Sequence, residues 1–288
     1  MATLAQWVEG ARPRTLPASG APVIVGSAAA AQLGHFDAPR ALLALVVALL
    51  LQVGVNYAND YSDGIRGTDR ERVGPVRLVG QGLAEPMSVK RAAYLSFAAA
   101  AGAGVALAAL AGWWLILVGA AAIVAAWFYT GGSKPYGYLG FGELFVFVFF
   151  GLVATVGTQF VQAGTVDAAG VSGAVGIGLL ISAILVANNL RDIPGDRMAA
   201  KMTLAVRLGD RRTRILYSAL VVAGVAALAV SVGANPWALL LLVPAGAALP
   251  LIRATMRGDS GRDLIKVLAG TGRLALLAGL ATAAGLVR

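Results

Sequence analysis

The sequence predicts an all-α integral membrane protein with about nine transmembrane helices, arranged as two four-helix halves plus one extra helix around a central cavity. Hydrophobic residues make up 58% of the 288 positions and charged residues only 13%, whereas an ordinary soluble domain carries about 25% charged residues. The apolar positions are gathered in long charge-free runs. Because a helix needs about 20 apolar residues to cross the bilayer core, each run supplies one or two spans.

These charge-free runs define the expected spans in chain order. Residues 92–133 and 215–252 form runs about twice the length of one crossing. The first is expected to fold back at Gly112 and the second at 233–236, since Gly and Asn-Pro favour turns. A cleavable signal peptide around 12–31 is a competing interpretation of the chain start. The predicted runs are 15–36, 41–59, 92–133, 144–166, 168–190, 215–252 and a last span at about 264–287.

Positive charge is distributed very unevenly over these spans. If successive turns alternate between the two sides, all but three of the 23 Lys and Arg residues fall on one side, the exceptions being Arg40, Arg273 and Arg288. The positive-inside rule then predicts that the N-terminus and the long loops are cytoplasmic and the C-terminus is outside. The same bias accounts for the net charge of +9, so no nucleic-acid partner is expected.

The composition also restricts the chemistry. The chain has no cysteine and one histidine, His35. Disulfides, thiolate metal sites and thiol nucleophiles are therefore excluded. Any metal site must be built from oxygen ligands, which favours Mg²⁺ over zinc or iron.

Carboxylates and amides cluster at the cytoplasmic ends of two predicted spans. The clusters are about 130 residues and four helices apart. This spacing favours a parallel repeat, with one half at about 12–133 and the other at about 134–255, followed by the last helix. The residues concerned are Asn56, Asn59, Asp60 and Asp63 in the first cluster and Asn188, Asp192 and Asp196 in the second.

Four-residue spacing within both clusters places the oxygen atoms of each on one face of a helix. Pro194 and Gly195 predict that the second helix ends before Asp196, which would lie on the following turn. Several carboxylates close together repel one another unless cations neutralise them, and Mg²⁺ is typically held by one or two carboxylates and substrate phosphates. The pattern predicts a magnesium and diphosphate site. Further countercharge is available from Arg66, Arg70, Arg72, Lys134, Arg191, Arg197 and Lys201.

The alternative interpretation of these residues is a charged and solvated loop beside a membrane. It suits most arginines in the loops 66–77 and 207–214. It does not explain amides and carboxylates at four-residue spacing on two equivalent helix ends, where polar groups entering the membrane are costly.

Four stretches of the sequence resemble motifs of the UbiA-type intramembrane aromatic prenyltransferases, and within them the enzymes that prenylate 1,4-dihydroxy-2-naphthoate in menaquinone synthesis. The resemblance covers nearly the whole chain. The stretches are R-P-R-T-L-P from Arg12, N-D-Y-S-D-G-I-R-G-T-D from Asn59 with G-P-V-R after it, Y-T-G-G-S-K-P-Y-G-Y from Tyr129, and N-N-L-R-D-I-P-G-D-R from Asn188.

The resemblance implies an activity and a cofactor. The activity is transfer of a polyprenyl chain from an isoprenyl diphosphate to the naphthoate with loss of CO₂, giving demethylmenaquinone in a bacterial inner membrane. Two Mg²⁺ would hold the diphosphate. The implied metal ligands and catalytic residues are Asp60, Asp63, Asp192 and Asp196. The expected diphosphate-binding residues are Asn59, Arg66, Lys134, Asn188 and Lys201, and weaker candidates for the cavity are Asn56, Tyr129, Asp69, Glu143 and Arg273.

Some assignments and alternatives stay open at this point. Asp69 comes six residues after Asp63, two more than in the family motif. Glu143 and Arg273 are expected either to pair with each other or to line the cavity. No general base is identifiable. The alternative functions are a prenyltransferase with another aromatic acceptor, a cation-coupled transporter, and a non-catalytic membrane scaffold.

Overall fold

The computed structural model describes residues 2–67 and 76–287, and every regular element in that part of the chain is a helix. Seven helical segments are long and apolar enough to cross a membrane. The predicted all-α membrane fold is therefore confirmed.

Within the described residues, eleven α-helices follow one another, with a π-helical segment between α6 and α7. Three of them, α1, α2 and α5, lie outside the seven long segments and are shorter. The bounds are α1 Leu4–Gly10, α2 Pro17–Gln32, α3 Ala38–Ile65, α4 Pro86–Ala111, α5 Leu115–Phe128, α6 Gly142–Val146, π Phe147–Val153, α7 Ala154–Ala163, α8 Ala168–Met198, α9 Leu204–Val232, α10 Leu242–Arg257 and α11 Arg262–Leu286.

Both double-length runs fold back where glycine was expected to break them. Helix α4 ends at Gly112, whose φ is 144°, and α9 ends at Gly233, whose φ is 76°. A residue with a Cβ rarely adopts such positive φ angles, so glycine suits both turns. After the second turn, a short 3₁₀ segment from Pro236 leads into α10.

Helix α8 differs from the prediction at its C-terminal end. It continues through Pro194 to Met198, so Asp196 lies on the helix and not on a turn beyond it. A proline removes one backbone hydrogen bond, and such a loss is tolerated in membrane helices where neighbouring groups compensate. Asn188, Asp192 and Asp196 consequently follow one another at single-turn intervals on one continuous helix.

Helix α8 is also the most buried span. Gly176 on α8 faces Gly224 on α9 so closely that a Cβ on Gly176 would lie 2.8 Å from the Gly224 carbonyl oxygen. Small residues permit this close approach of helices in membranes. The fully buried Tyr217 on α9 shares a hydrogen bond of 2.7 Å with Thr271 on α11. Together α8, α9 and α11 form a closely packed core beside the cavity.

Candidate active site

A cavity of about 910 Å³ lies inside the helical bundle. Its depth is lined by apolar side chains of several helices, while polar side chains gather where α3 and α8 end. The apolar lining includes Val47, Leu51, Leu107, Val118, Phe145, Phe149, Ile181 and Leu185. The polar lining includes Arg12, Asn59, Asp63, Arg77, Tyr138, Asn188, Arg191, Asp192, Asp196 and Lys201. The cavity can thus accommodate a molecule with a charged head and a hydrocarbon tail.

The two acidic clusters meet at this cavity. Asp63 comes from the last turn of α3, whereas Asp192 and Asp196 come from the last two turns of α8. The amide of Asn59 stands one turn before Asp63, and that of Asn188 one turn before Asp192, and both line the cavity. The structure therefore brings together five of the residues singled out in the sequence, from two helices more than 100 positions apart.

Asp63 is held by cations from two different segments. The Nζ of Lys201 lies 2.9 Å from its Oδ1, and the Nη2 of Arg77 lies 3.9 Å from its Oδ2. The Tyr138 hydroxyl donates a further hydrogen bond to Oδ1. All three charged side chains are less than 10% exposed. Lys201 and Arg77 thus place positive charge at the cavity mouth, beside the acidic cluster.

Tyr138 keeps its proton over the physiological pH range. Burial raises the pKa of its hydroxyl above the ordinary value, and the neighbouring Asp63 carboxylate raises that pKa further. The Lys201 ammonium lies 4.5 Å from the centre of the Tyr138 ring, a cation–π distance. Tyr138 therefore acts as a hydrogen-bond donor that orients Asp63.

In the second cluster, Arg191 donates two hydrogen bonds to the Asp192 carboxylate. Its Nε lies 2.7 Å from Oδ1 and its Nη2 lies 2.8 Å from Oδ2. Asn188 adds a weaker contact of 3.4 Å to Oδ2. Asp196 accepts from the Thr203 hydroxyl at 3.4 Å, across the turn that joins α8 to α9.

The Asp60 carboxylate, one of the predicted metal ligands, does not face the cavity in this structure. It accepts hydrogen bonds from the backbone N–H groups of Leu78 and Val79, at 2.7 and 3.1 Å, and is completely buried. It is absent from the described residues that line the cavity. Side chains three positions apart on a helix are rotated by about 300° about its axis. Asp60 therefore points about 60° away from Asp63. It fixes the segment that carries Arg77.

Several other predicted site residues also lie elsewhere. Arg66 donates to the carbonyl oxygens of Thr130 and Gly132, and it holds the 129–138 loop. Lys134 is exposed. Neither Arg66 nor Lys134 is among the described residues that line the cavity.

Of the weaker cavity candidates, Asn56 and Tyr129 line the cavity. Glu143 is buried behind the cavity wall and accepts a hydrogen bond from Asn189. Arg273 lies on the exposed face of α11, so the expected pairing with Glu143 is not formed. Asp69 lies outside the described residues.

Sequence reasoning missed Arg12, Arg77 and Tyr138, which all line the cavity. Arg12 stands in the R-P-R-T-L-P stretch and was counted with the charges that set orientation. Arg77 was grouped with the solvated loop arginines. Tyr138 ends the Y-T-G-G-S-K-P-Y-G-Y stretch, and this motif was the signal that could have identified it.

The cavity mouth offers some of the oxygen ligands that a hard divalent ion needs. Within residues 2–67 and 76–287, no three His, Asp or Glu side chains converge on one point. Asp63 and Asp192 nevertheless face a shared cavity from two helices. Each forms an ion pair with a cationic side chain, Asp63 with Lys201 and Asp192 with Arg191. This donor set fits Mg²⁺, which is commonly held by one or two carboxylates while substrate phosphates supply the other oxygens.

Comparison with known proteins gives a consistent result. The sequence model of the UbiA prenyltransferase family matches residues 19–284. The chain is 58% identical over 287 residues to a protein of Mycobacterium tuberculosis named 1,4-dihydroxy-2-naphthoate octaprenyltransferase, covering 99% of this chain and 98% of that one. It is 42% identical over 230 residues to the protein of the same name from Escherichia coli, covering 77% and 75% of the two chains.

Solved structures share the fold at low identity. A UbiA homologue from Archaeoglobus fulgidus, bound to DMAPP and Mg²⁺, has a TM-score of 0.67 at 15% identity and covers 98% of this chain and 99% of its own. A homologue from Aeropyrum pernix K1, solved without ligands, has a TM-score of 0.69 at 15% identity, with coverage of 94% and 96%. On the family match and the close relatives, the chain belongs to the UbiA prenyltransferase family.

Proposed function

We propose that this protein transfers a polyprenyl chain from an isoprenyl diphosphate to 1,4-dihydroxy-2-naphthoate, with loss of CO₂, and so forms demethylmenaquinone. The observation that carries the proposal is the division of one cavity into a charged mouth and an apolar depth. The 58% identical relative carries the name of this activity. A prenyl diphosphate has the same division, with its charge at one end.

The mouth is suited to bind the diphosphate. Lys201, Arg77 and Arg191 line it, and Lys and Arg side chains bind phosphate oxygens through charge-assisted hydrogen bonds. The amides of Asn59 and Asn188 lie on the same two helix faces and offer neutral donors. Lys201 and Arg77 contact the Asp63 carboxylate, and Arg191 contacts the Asp192 carboxylate, so these cations already lie beside the acids.

The carboxylates of Asp63, Asp192 and Asp196 are the side chains we assign to hold Mg²⁺. When bound, Mg²⁺ neutralises negative charge on the diphosphate and stabilises the charge that develops on the leaving oxygen. Tyr138 and the segment ordered by Asp60 keep the Asp63 carboxylate turned to the cavity. This set differs from the sequence-based one by the loss of Asp60.

The depth of the cavity is suited to hold the prenyl chain away from water. Ionisation of the allylic diphosphate leaves positive charge on the allyl fragment, which water would convert to an alcohol. Aromatic rings of Tyr136 and Phe145 stack with centroids 4.0 Å apart on the cavity wall, and aromatic faces stabilise cations. The diphosphate has then already left with the electron pair of the C–O bond. A ring carbon of the naphthoate donates an electron pair to the allylic carbon, and cleavage of the ring–carboxylate bond releases CO₂ and returns that bond's electron pair to the ring.

We place the active site at the cytoplasmic face of a bacterial inner membrane. The acidic helix ends and the Lys- and Arg-rich loops lie on the same side of the bundle by chain order, and the positive-inside rule assigns that side to the cytoplasm. Diphosphate and aromatic acid are both charged, so a cytoplasmic mouth gives them access without crossing the bilayer.

The proposal is tested with purified protein in detergent or vesicles. The protein is given Mg²⁺, a polyprenyl diphosphate and, in separate reactions, 1,4-dihydroxy-2-naphthoate or 4-hydroxybenzoate. The expected result is prenylated naphthoquinol together with one diphosphate per product. A preference for hydroxybenzoate would move the assignment to another aromatic acceptor, and folded protein that yields no prenylated aromatic product would contradict the proposal.

A further inference from the structure

Glu143 is a buried carboxylate that the proposed mechanism does not use. It stands in the first turn of α6 and is 8% exposed. Its Oε1 accepts a hydrogen bond of 2.9 Å from the Nδ2 of Asn189. Its Oε2 is buried and has no hydrogen-bond partner within the described parts of the chain. Carboxylates in membrane-spanning segments are costly and usually serve a function.

The contact with Glu143 fixes the orientation of the Asn189 amide. In this contact the Asn189 Nδ2 is the donor and the Glu143 Oε1 is the acceptor, and a side-chain amide donates through Nδ2 and accepts through Oδ1. Nδ2 therefore faces Glu143, and Oδ1 is left for another partner. Asn189 lines the cavity, and none of the residues that the structure describes donates to its Oδ1.

Asn189 also occupies a defined depth. It precedes Asp192 by three residues on α8, which places it about 4.5 Å deeper along the helix axis. The cavity wall around it includes Leu185 and Phe145. A hydrogen-bond acceptor thus stands between the charged mouth and the apolar depth, where the bond from the prenyl chain to the aromatic ring has to form.

We propose that the Oδ1 of Asn189 accepts a hydrogen bond from a hydroxyl group of the aromatic substrate, and that Glu143 is the positioning residue that sets this amide. The inference rests on the proposed function. Of the two substrates, only the aromatic one carries O–H groups, because the ionised diphosphate offers acceptors alone and the prenyl chain offers neither. An acceptor in the wall therefore selects the aromatic partner.

The first test separates the two substrates kinetically. Asn189→Ala and Glu143→Leu are expected to raise KM for 1,4-dihydroxy-2-naphthoate about tenfold, the effect of losing one good hydrogen bond, and to leave KM for the polyprenyl diphosphate unchanged. Ser182→Ala is the matched control, because the buried Ser182 donates to the backbone oxygen of Glu143 at 3.3 Å without touching its carboxylate. It is expected to change neither constant.

A rise in KM for the diphosphate in place of the naphthoate would overturn the inference. If Glu143→Leu does not fold, Glu143→Gln serves in its place. Glutamine keeps the volume but can donate as well as accept, so it no longer dictates the amide orientation. An intermediate KM for the naphthoate supports the positioning role, and a wild-type KM contradicts it.

The second test needs no turnover. Equilibrium dialysis compares binding of the naphthoate with that of its two monomethyl ethers, each of which lacks one O–H donor. The wild-type protein is expected to bind one ether about tenfold more weakly than the parent acid, and Asn189→Ala to bind that ether and the parent equally. If Asn189→Ala keeps the wild-type preference, the inference fails, whereas a wild-type protein that binds the naphthoate but never prenylates it contradicts only the proposed function.

Discussion

Asp60→Asn tests whether this carboxylate serves the fold or the chemistry. The two oxygens of Asp60 accept from the amides of Leu78 and Val79 in a completely buried position. Asparagine keeps one acceptor oxygen but turns an NH₂ group towards the other backbone N–H. The variant therefore loses a hydrogen bond to a charged group and leaves a buried donor unpaired, which together cost about 3 kcal/mol.

The cost translates into a measurable loss of thermal stability. For a chain of this size, 1 kcal/mol corresponds to roughly 2–4 °C, so a loss of about 3 kcal/mol is expected to lower the melting temperature of Asp60→Asn by roughly 6–12 °C. The assay follows the folded fraction of detergent-solubilised protein by size-exclusion after heating. Turnover is measured separately at a temperature well below both transitions, where the variant is expected to keep most of the wild-type kcat.

Asp60→Ala is the comparison variant, since it removes both hydrogen bonds and should melt lower still. The reasoning would be refuted by an Asp60→Asn protein that melts like the wild type and has no turnover at low temperature. That combination would return Asp60 to the metal site predicted from its motif.

Three further predictions address the site and its orientation. Asp63→Asn and Asp192→Asn each remove a carboxylate from the cavity mouth and should lower kcat about 10²–10³-fold, measured by diphosphate release; wild-type rates in both would remove these acids from the mechanism. Burial raises the pKa of Tyr138 above its ordinary value, so the folded protein keeps a proton that the unfolded chain loses. This contribution to stability is complete below about pH 10 and declines as pH rises above it, so Tyr138→Phe should lose less stability between pH 10 and 12 in thermal melts; equal losses would count against the burial argument. Because the chain has no cysteine, His35→Cys and Lys134→Cys can be labelled singly with a membrane-impermeant maleimide in intact cells, and only His35→Cys should react; the reverse pattern would invert the orientation.

Most of the fold could be predicted from the sequence, because composition and length determine which segments span the membrane. Charge-free runs locate the helices, and Gly112 and Gly233 mark the turns within the two long runs, as the structure confirms. Pro194 was misjudged. A proline in the sequence usually indicates the end of a helix. A membrane span that packs against neighbouring helices can nevertheless continue past a proline when only one backbone hydrogen bond is lost.

The candidate site was predictable in its location and less so in its individual members. Four-residue spacing placed Asp63, Asp192 and Asp196 on faces that the structure turns to one cavity. The same spacing could not show that Asp60 turns away from the cavity, because its partners are backbone amides of a loop that has no helical periodicity. Arg77 lies in the same loop, directly before Leu78, and nothing in its local pattern distinguishes a buried cation from a solvated one.

The π-helical segment Phe147–Val153 shapes the wall of the cavity. Its wider turns carry more residues than α-helical turns do, so the chain after it is rotated relative to a regular helix. Phe145 before the segment and Val161 well after it consequently line the same cavity. Deleting one residue within 147–153 would turn Val161 by about 100° about the helix axis, and the apolar lining would lose that side chain.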